Sequence, residues 1–176
     1  MSGVAATAIA PSAPARIVIG IGDMRVAHGV GQVIMTHALG SCLGITVHDP
    51  VACVGGMLHA LLPDSTTSPE RAAENPLAFV DTGVPRLFRA LYAIGADKRR
   101  VVLRVAGGAS MQAAGGSEND YFQVGSRNLI ALRKLLWKNS VLIKAQDTGG
   151  CISRTMSLDV GTGVVTISTG GVSKVL

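Results

Sequence analysis

The chain has 176 residues, the size of one domain that can bury a substantial core. Hydrophobic residues make up 48% of it and aromatic residues only 3%, so Val, Ile, Leu and Ala must form that core, and no apolar run reaches the roughly 18 residues of a membrane span. The basic residues behind the net charge of +5 are dispersed along the sequence without interleaved aromatics, which argues against nucleic-acid binding.

Residues 1–15 are predicted to form a flexible tail, because prolines 11 and 14 interrupt them and they lack the basic start and continuous apolar stretch of a signal peptide. A single domain is expected over 16–176. Three cysteines, an odd number without a C-x-x-C pattern, favour a reducing, cytoplasmic compartment with free thiols. The mild basic charge is read as an aid to solubility, or else as attraction to an acidic partner.

The first predicted elements are an edge strand over 17–26, interrupted at two glycines, and a second strand over 32–36. A β-hairpin follows, since apolar runs at 42–48 and 54–62 flank the turn residues Asp49 and Pro50. With Pro50 and Val51 as its loop, paired residues have numbers that sum to about 101, which sets Cys42 opposite His59. Such a pair shares a face at a Cβ separation of about 4.5–5.5 Å, and a loop of odd length would separate them.

This hairpin carries the candidate site, because a cysteine becomes a strong nucleophile once an imidazole takes its proton. Gly40 and Ser41, directly before Cys42, favour a tight turn whose amides can form an oxyanion hole. Thr36 offers a nearby hydroxyl to orient His59. The alternative is that Cys42 and His59 only pack in the core, as buried cysteines commonly do.

No metal site is expected, because the spacing of the four histidines and Cys42 matches none of the closed zinc patterns. A polar run at 64–76 predicts a long loop. A helix is predicted over 77–94, and Pro85 should kink or split it. A second helix is predicted from an N-cap at Ser126 to Lys138, with Ile130 on its buried stripe. The remaining elements are a strand over 99–106, a loop over 112–120, a strand over 141–145, and a hairpin of 152–158 with 164–168. These elements predict an α+β layered domain.

Several motifs occur in the order found in one family. The sequences Thr36-x3-Gly40-Ser41-Cys42 and Gly55-Gly56-Met57-x-His59-x3-Pro63 resemble the signature of CheD, the chemoreceptor glutamine deamidases of bacterial and archaeal chemotaxis. The later matching segments are Val80-Asp81-Thr82, Gly107-Gly108-Ala109-x-Met111, Gly125-x-Arg127-Asn128, Asp147-x-Gly149-Gly150 and Arg154. Together they cover residues 16–169.

The resemblance implies a β-sandwich-like core flanked by helices, similar to CheD and to cytotoxic necrotizing factor deamidase domains. It also implies that Cys42 is the nucleophile, His59 the base and Thr36 the residue that orients His59, with no metal and no cofactor. The expected reaction converts glutamine side chains of methyl-accepting chemoreceptors to glutamate, releasing ammonia through a Cys42 thioester.

The same site could also hydrolyse a glutamate methyl ester, since both reactions share the acyl-enzyme. The resemblance implies a second possibility, a non-catalytic adaptor that binds and modulates a CheC-type phosphatase of the response regulator. A cysteine protease is a third, weaker alternative, because the motifs give no sign of an extended peptide cleft. Neither nucleic acid nor membrane insertion is expected.

Overall fold

The computed structural model describes residues 13–110 and 124–176. Its strands are β1 Ala15–Ile19, β2 Met24–His28, β3 Gln32–Leu39, β4 Leu43–Asp49, β5 Val54–Ala60, β6 Val102–Gly107, β7 Ile143–Thr148, β8 Arg154–Asp159, β9 Val165–Thr169 and β10 Val172–Val175. Its helices are α1 Pro69–Glu74, α2 Val80–Ala93 and α3 Val124–Lys138, with short 3₁₀ turns at Ser65–Thr67 and Pro76–Ala78.

The strands form two five-stranded sheets. The outer sheet has the order β1-β3-β8-β9-β10, and the central sheet has the order β2-β5-β4-β6-β7. Every residue of β4 and β5 is buried, because the central sheet packs against the outer sheet on one face and against α2 and α3 on the other. This burial on both faces explains why the two strands read as continuous apolar runs.

Side chains of β4 and β5 alternate between two hydrophobic cores. Ile45 and Leu58 face the helices, whereas Met57 packs with Ile34 and Leu158 between the sheets. Gly44 lets the sheets approach closely, since a Cβ there would lie 2.7 Å from the side chain of Leu39. The predicted layered architecture is therefore confirmed.

Several predicted boundaries are wrong. The strand predicted over 17–26 is two strands, β1 and β2, which belong to different sheets and are separated by a turn with Gly22 at φ +68°. The polar run at 64–76 contains α1, and β10 was not predicted. Pro85 lies inside an unbroken α2, so it does not split the helix, and the kink stays a prediction. The loop predicted over 112–120 and most of the predicted tail lie outside the described residues, and the single domain stays a prediction.

Helix α3 begins before its predicted start. Because Val124 is its first residue, Ser126 lies within the first turn and is not the N-cap. The buried face follows positions 128, 132 and 136, which are one helical turn apart. Ile130 points away from this face and is 64% exposed, so its predicted place on the buried stripe is wrong.

The positive charge is dispersed along the sequence but concentrated in space. Residues 76–100 and 124–141, here called the helical layer, contain nine Lys or Arg and two Asp or Glu, a net charge of +7. Because the whole chain carries +5, all other residues together carry −2. Within the described residues, no helix combines the length and apolar character needed to cross a membrane.

The turn that joins β4 to β5 is held by Asp49, whose side chain is fully buried. Its carboxylate accepts hydrogen bonds from the amides of Val51, Ala52 and Asp97 and pairs with Arg100 at 2.8 Å. The Arg100 guanidinium, followed by these amide donors, lowers the pKa of Asp49 well below its usual range.

We predict that Asp49→Asn destabilises the fold by about 1.5–3 kcal/mol at pH 7, because it removes the charge from these hydrogen bonds. The Asp49 pKa is depressed in the folded state, so its contribution is present above the unfolded pKa of about 4 and is lost as the pH falls below it. Urea unfolding between pH 3 and pH 7 measures this difference. Asp97→Asn is the control, since Asp97 is partly exposed; equal losses from the two variants would contradict the prediction.

Candidate active site

The structure brings Thr36 and His59 together between the two sheets. Thr36 lies on β3 of the outer sheet and His59 on β5 of the central sheet, and both are buried. Thr36 Oγ1 and His59 Nδ1 are 2.8 Å apart. The predicted contact between the hydroxyl and the imidazole is therefore present, and it links the sheets.

The hydrogen bonds of Thr36 determine the tautomer of His59. The single hydroxyl proton of Thr36 is donated to the carbonyl oxygen of Ile19 at 2.9 Å. Thr36 Oγ1 must then accept the other hydrogen bond, so His59 Nδ1 carries a proton and donates it. In the neutral ring this leaves Nε2 with a lone pair, the form required of a general base.

His59 Nε2 is buried and has no hydrogen-bond partner among the described residues. Burial lowers the pKa of His59 to about 4, because desolvation disfavours the charged imidazolium. The imidazole is therefore neutral at pH 7. Its backbone is also fixed, since the His59 amide donates to Asp23 and the His59 carbonyl accepts from Gly22.

The predicted register of the hairpin is wrong by two residues. His59 lies opposite Gly44, and Cys42 lies just before the first residue of β4. The cause is a four-residue turn in which Asp49 accepts the amides of Val51 and Ala52, instead of the predicted two-residue loop. A shift of two preserves the face on which side chains lie. Cys42 packs in the core between the sheets, where the buried His59 contacts Thr36.

Cys42 lies in a sharply bent connection between β3 and β4. The pairing of β3 with β8 shifts between Thr36 and Leu39, and Ala38 has a φ of +57°. The Gly40 amide donates to the carbonyl of Ala38 at 2.9 Å. The amides of Ser41 and Cys42, in contrast, donate to no backbone carbonyl in the described part of the chain.

A loop after β6 packs directly over this connection. The amide of Gly108 donates to the carbonyl of Cys42, and the amide of Ala109 donates to that of Gly40, both at 2.8 Å. Gly107 has a φ of +105°, and a Cβ there would collide with the carbonyl oxygen of Cys42. Glycine is thus required at this position for both conformation and space.

Cys42 is 6% exposed, and burial raises the pKa of its thiol above the ordinary value. At pH 7 a protonated thiol and a neutral imidazole therefore share one face of the central sheet, and no hydrogen bond joins them, since Nδ1 is bonded to Thr36 and Nε2 has no partner among the described residues. The site has the groups needed for nucleophilic catalysis, but it does not hold a preformed thiolate–imidazolium pair.

Asn128 was assigned no role from sequence, although it was part of a matching motif. It is fully buried on α3, and its Nδ2 donates to the carbonyls of Ser41 and Leu61, both at 3.0 Å. The available signal was an asparagine in line with Leu132 and Leu136 on the apolar face of the helix. A buried amide at such a position needs polar partners.

Arg154 is a second buried polar residue beside the site. It forms an ion pair with Asp147 at 3.1 Å and donates to the carbonyl of Gly149. The Gly149 amide in turn donates to Gly107, so this ion pair supports the loop that packs on Cys42. Among the described residues, no group of three or more His, Cys, Asp or Glu could hold a metal ion.

A family model described as CheD chemotactic sensory transduction matches residues 61–169. A probable chemoreceptor glutamine deamidase CheD of Solibacter usitatus is 45% identical over 161 residues, covering 92% of this chain and 93% of the relative. A relative of the same description from Syntrophus aciditrophicus is 41% identical, covering 88% and 94%. One from the archaeon Thermococcus kodakarensis is 43% identical, covering 84% and 88%.

A stretch of 161 residues in a chain of 176 necessarily includes residues 36–59, so the first of these similarities extends over the site. A solved structure of a Neisseria meningitidis protein aligns at 13% identity with a TM-score of 0.39, over 73% of this chain and 52% of its own. That structural likeness is too weak to carry an argument.

The protonated state of the thiol predicts a pH profile for its alkylation. In a Cys53→Ser/Cys151→Ser background, the rate of Cys42 with iodoacetamide should be low at pH 7 and rise only above about pH 8.5, the ordinary thiol pKa. The sign follows from the raised Cys42 pKa, which keeps the thiol protonated at lower pH. The rate is measured by quenching the reaction at set times and determining the alkylated fraction by mass spectrometry.

A variant that retains the exposed Cys151 as its single thiol is the control, and this accessible thiol should react faster than Cys42 at pH 7. A plateau of high Cys42 reactivity between pH 5 and pH 7 would instead indicate a preformed ion pair with His59.

Proposed function

The chain belongs to the CheD family, and from this membership we propose that it is a protein-glutamine deamidase of chemoreceptors. The proposal is supported by relatives named as probable chemoreceptor glutamine deamidases that match nearly their whole length. The observation that carries the chemistry is the hydrogen bond from His59 Nδ1 to Thr36, which leaves Nε2 unprotonated beside the connection that bears Cys42.

In the proposed first step, Cys42 Sγ attacks the carbonyl carbon of a substrate carboxamide while its proton moves to His59 Nε2. Because the resting pair is neutral, the thiolate forms during the attack. The negative charge of the tetrahedral intermediate then stabilises the imidazolium and raises the His59 pKa from its low resting value. Thr36 accepts from Nδ1 throughout and keeps the ring in place.

The negative oxygen of the intermediate needs hydrogen-bond donors that are not already engaged. We assign this role to the turn of Gly40 and Ser41, and specifically to the Ser41 amide, because the Cys42 amide already interacts with its own thiol. The Gly40 amide is bonded to Ala38, so its contribution is to fix the turn.

The intermediate collapses when the bond from carbon to nitrogen breaks and His59 returns its proton, so that ammonia leaves and a thioester on Cys42 remains. His59 then accepts a proton from a water molecule that attacks the thioester. Breakdown of the second intermediate releases glutamate and restores the thiol. The balance is one amide and one water consumed for one carboxylic acid and one ammonia, without a metal or cofactor.

We place the protein in the cytoplasm and its substrate glutamines on methyl-accepting chemoreceptors. The free thiols of Cys42, Cys53 and Cys151 agree with a reducing compartment. The adaptor role toward a CheC-type phosphatase stays a prediction from the family resemblance.

The proposed reaction is tested by incubating a cognate chemoreceptor cytoplasmic fragment with the protein and mapping glutamines by peptide mass spectrometry. Specific glutamines should become glutamates with release of ammonia. Cys42→Ala should abolish the change, and His59→Ala should slow it by about 10²–10⁴-fold, the usual contribution of a general base. Cys151→Ser is the matched control and should retain full activity. A receptor fragment left unchanged by the intact protein would refute the deamidase proposal and favour the adaptor.

Thr36→Val should lower kcat about 10- to 100-fold, because the apolar isostere leaves Nδ1 without an acceptor and frees the ring to change tautomer. Thr36→Ser keeps the hydroxyl and should retain most of the activity. Kinetics on the receptor fragment, with melting temperatures of both variants, measure the effect. Equal kcat values for the two variants would show that the hydroxyl does not orient the base.

A further inference from the structure

We propose that Asn128 is a positioning residue that sets the separation between the Cys42 thiol and the His59 imidazole. This inference rests on the proposed deamidase function. Asn128 contacts neither reacting group directly and acts through the two backbone segments that carry them, one on each side of its side-chain amide.

The nucleophile and the base lie where the pairing of β4 with β5 ends. Leu43 and Ala60 form the last pair of the ladder on this side. Beyond it, the amides of Leu61 and Leu62 both donate to the carbonyl of Ala78, which directs the chain away from β4. No backbone hydrogen bond therefore joins the segment at residues 40–42 to the segment at 61–62.

The Asn128 side chain joins these two segments instead. Its Nδ2 carries two protons, one for the carbonyl of Ser41 and one for the carbonyl of Leu61, each at 3.0 Å. Ser41 directly precedes Cys42, and Leu61 follows His59 by two residues. The amide thus takes the place of the next rung of the ladder and limits how far the strands separate.

Asn128 can do this because its helix is fixed against the same site. A Cβ at Gly125 would lie 2.6 Å from the carbonyl carbon of Gly108, so the first turn of α3 lies directly on the loop after β6. That loop also holds the carbonyl of Cys42 through the Gly108 amide. Two sets of contacts therefore fix Asn128 relative to Cys42. One is its own hydrogen bond to Ser41, and the other is the packing of its helix on the loop that bonds the Cys42 carbonyl.

Stability alone does not account for this residue. Asn128 Oδ1 is buried and has no hydrogen-bond partner within the described part of the chain, which is a free-energy cost. Leucine occupies the neighbouring positions 132 and 136 of the same face, and there it carries no such cost. What leucine could not supply is a pair of donors to Ser41 and Leu61, and these are the contacts that constrain the site.

The inference is tested by comparing Asn128→Leu with Leu136→Ala, a core truncation on the same helix two turns away. For the receptor fragment, Asn128→Leu should lower kcat at least about 30-fold with KM changed less than about threefold, since misplacing reacting groups by about 1 Å costs on the order of 10²-fold in rate. Leu136→Ala should lower the melting temperature but keep kcat within about threefold.

A second readout does not depend on deamidation. In the Cys53→Ser/Cys151→Ser background, Asn128→Leu should change the iodoacetamide rate of Cys42 at pH 8 by about tenfold or more, because the Cys42 connection is no longer held in its buried position. Leu136→Ala should leave this rate unchanged. If Asn128→Leu does not fold, Asn128→Ser, which keeps one donor, is compared in the same way.

Activity losses that follow the melting temperature equally in both variants would overturn the positioning role, as would a Cys42 alkylation rate insensitive to Asn128. If the intact protein deamidates nothing, the proposed function fails, and the alkylation comparison still decides whether Asn128 holds the thiol.

Discussion

The hydrogen bond between Thr36 and His59 is the contact on which the site depends, because it crosses from one sheet to the other. It requires that the sheets approach closely beside His59, and Gly44, the residue opposite it, leaves the necessary space. Thr36 donates its only hydroxyl proton to the carbonyl of Ile19, so its oxygen accepts the proton of His59 Nδ1. The backbone of the outer sheet thereby determines which nitrogen of a histidine on the central sheet can act as a base.

Burial gives this site a particular resting state. The same desolvation that lowers the pKa of His59 raises the pKa of Cys42, so both groups are neutral at pH 7. A neutral thiol is far less nucleophilic than a thiolate, so the resting Cys42 is protected from oxidation and alkylation. In the proposed reaction, ionisation is coupled to the approach of a carbonyl group that can hold the charge.

Sequence reasoning was able to identify the hairpin and its chemistry but not its register. Asp49 and Pro50 predict a turn, but whether it contains two or four residues depends on the amides that Asp49 accepts and on its pairing with Arg100, which lies 51 residues along the chain. Because the predicted register is wrong by an even number of residues, it still sets Cys42 on the correct face of the sheet. An odd error would have separated it from His59.

Other features could not be read from local pattern, because they are set by contacts distant in sequence. The run over 17–26 carries no signal that its two halves pair in different sheets. Asn128 looks like a weak position in an amphipathic helix until the carbonyls of Ser41 and Leu61 are brought to it. The layered architecture, by contrast, follows from apolar runs that only a doubly covered sheet can bury.

The buried polar groups at the two ends of β4 differ in how fully they are hydrogen-bonded. At the Asp49 end the carboxylate is fully satisfied by amides and by Arg100. Four buried side-chain polar atoms lack a hydrogen-bond partner among the described residues, and three of them, on His59, Asn128 and Arg154, belong to the Cys42 end. Natural folds leave few such atoms, because each one costs stability. Their concentration around one thiol is what is expected of a site whose geometry is constrained by chemistry as well as by folding.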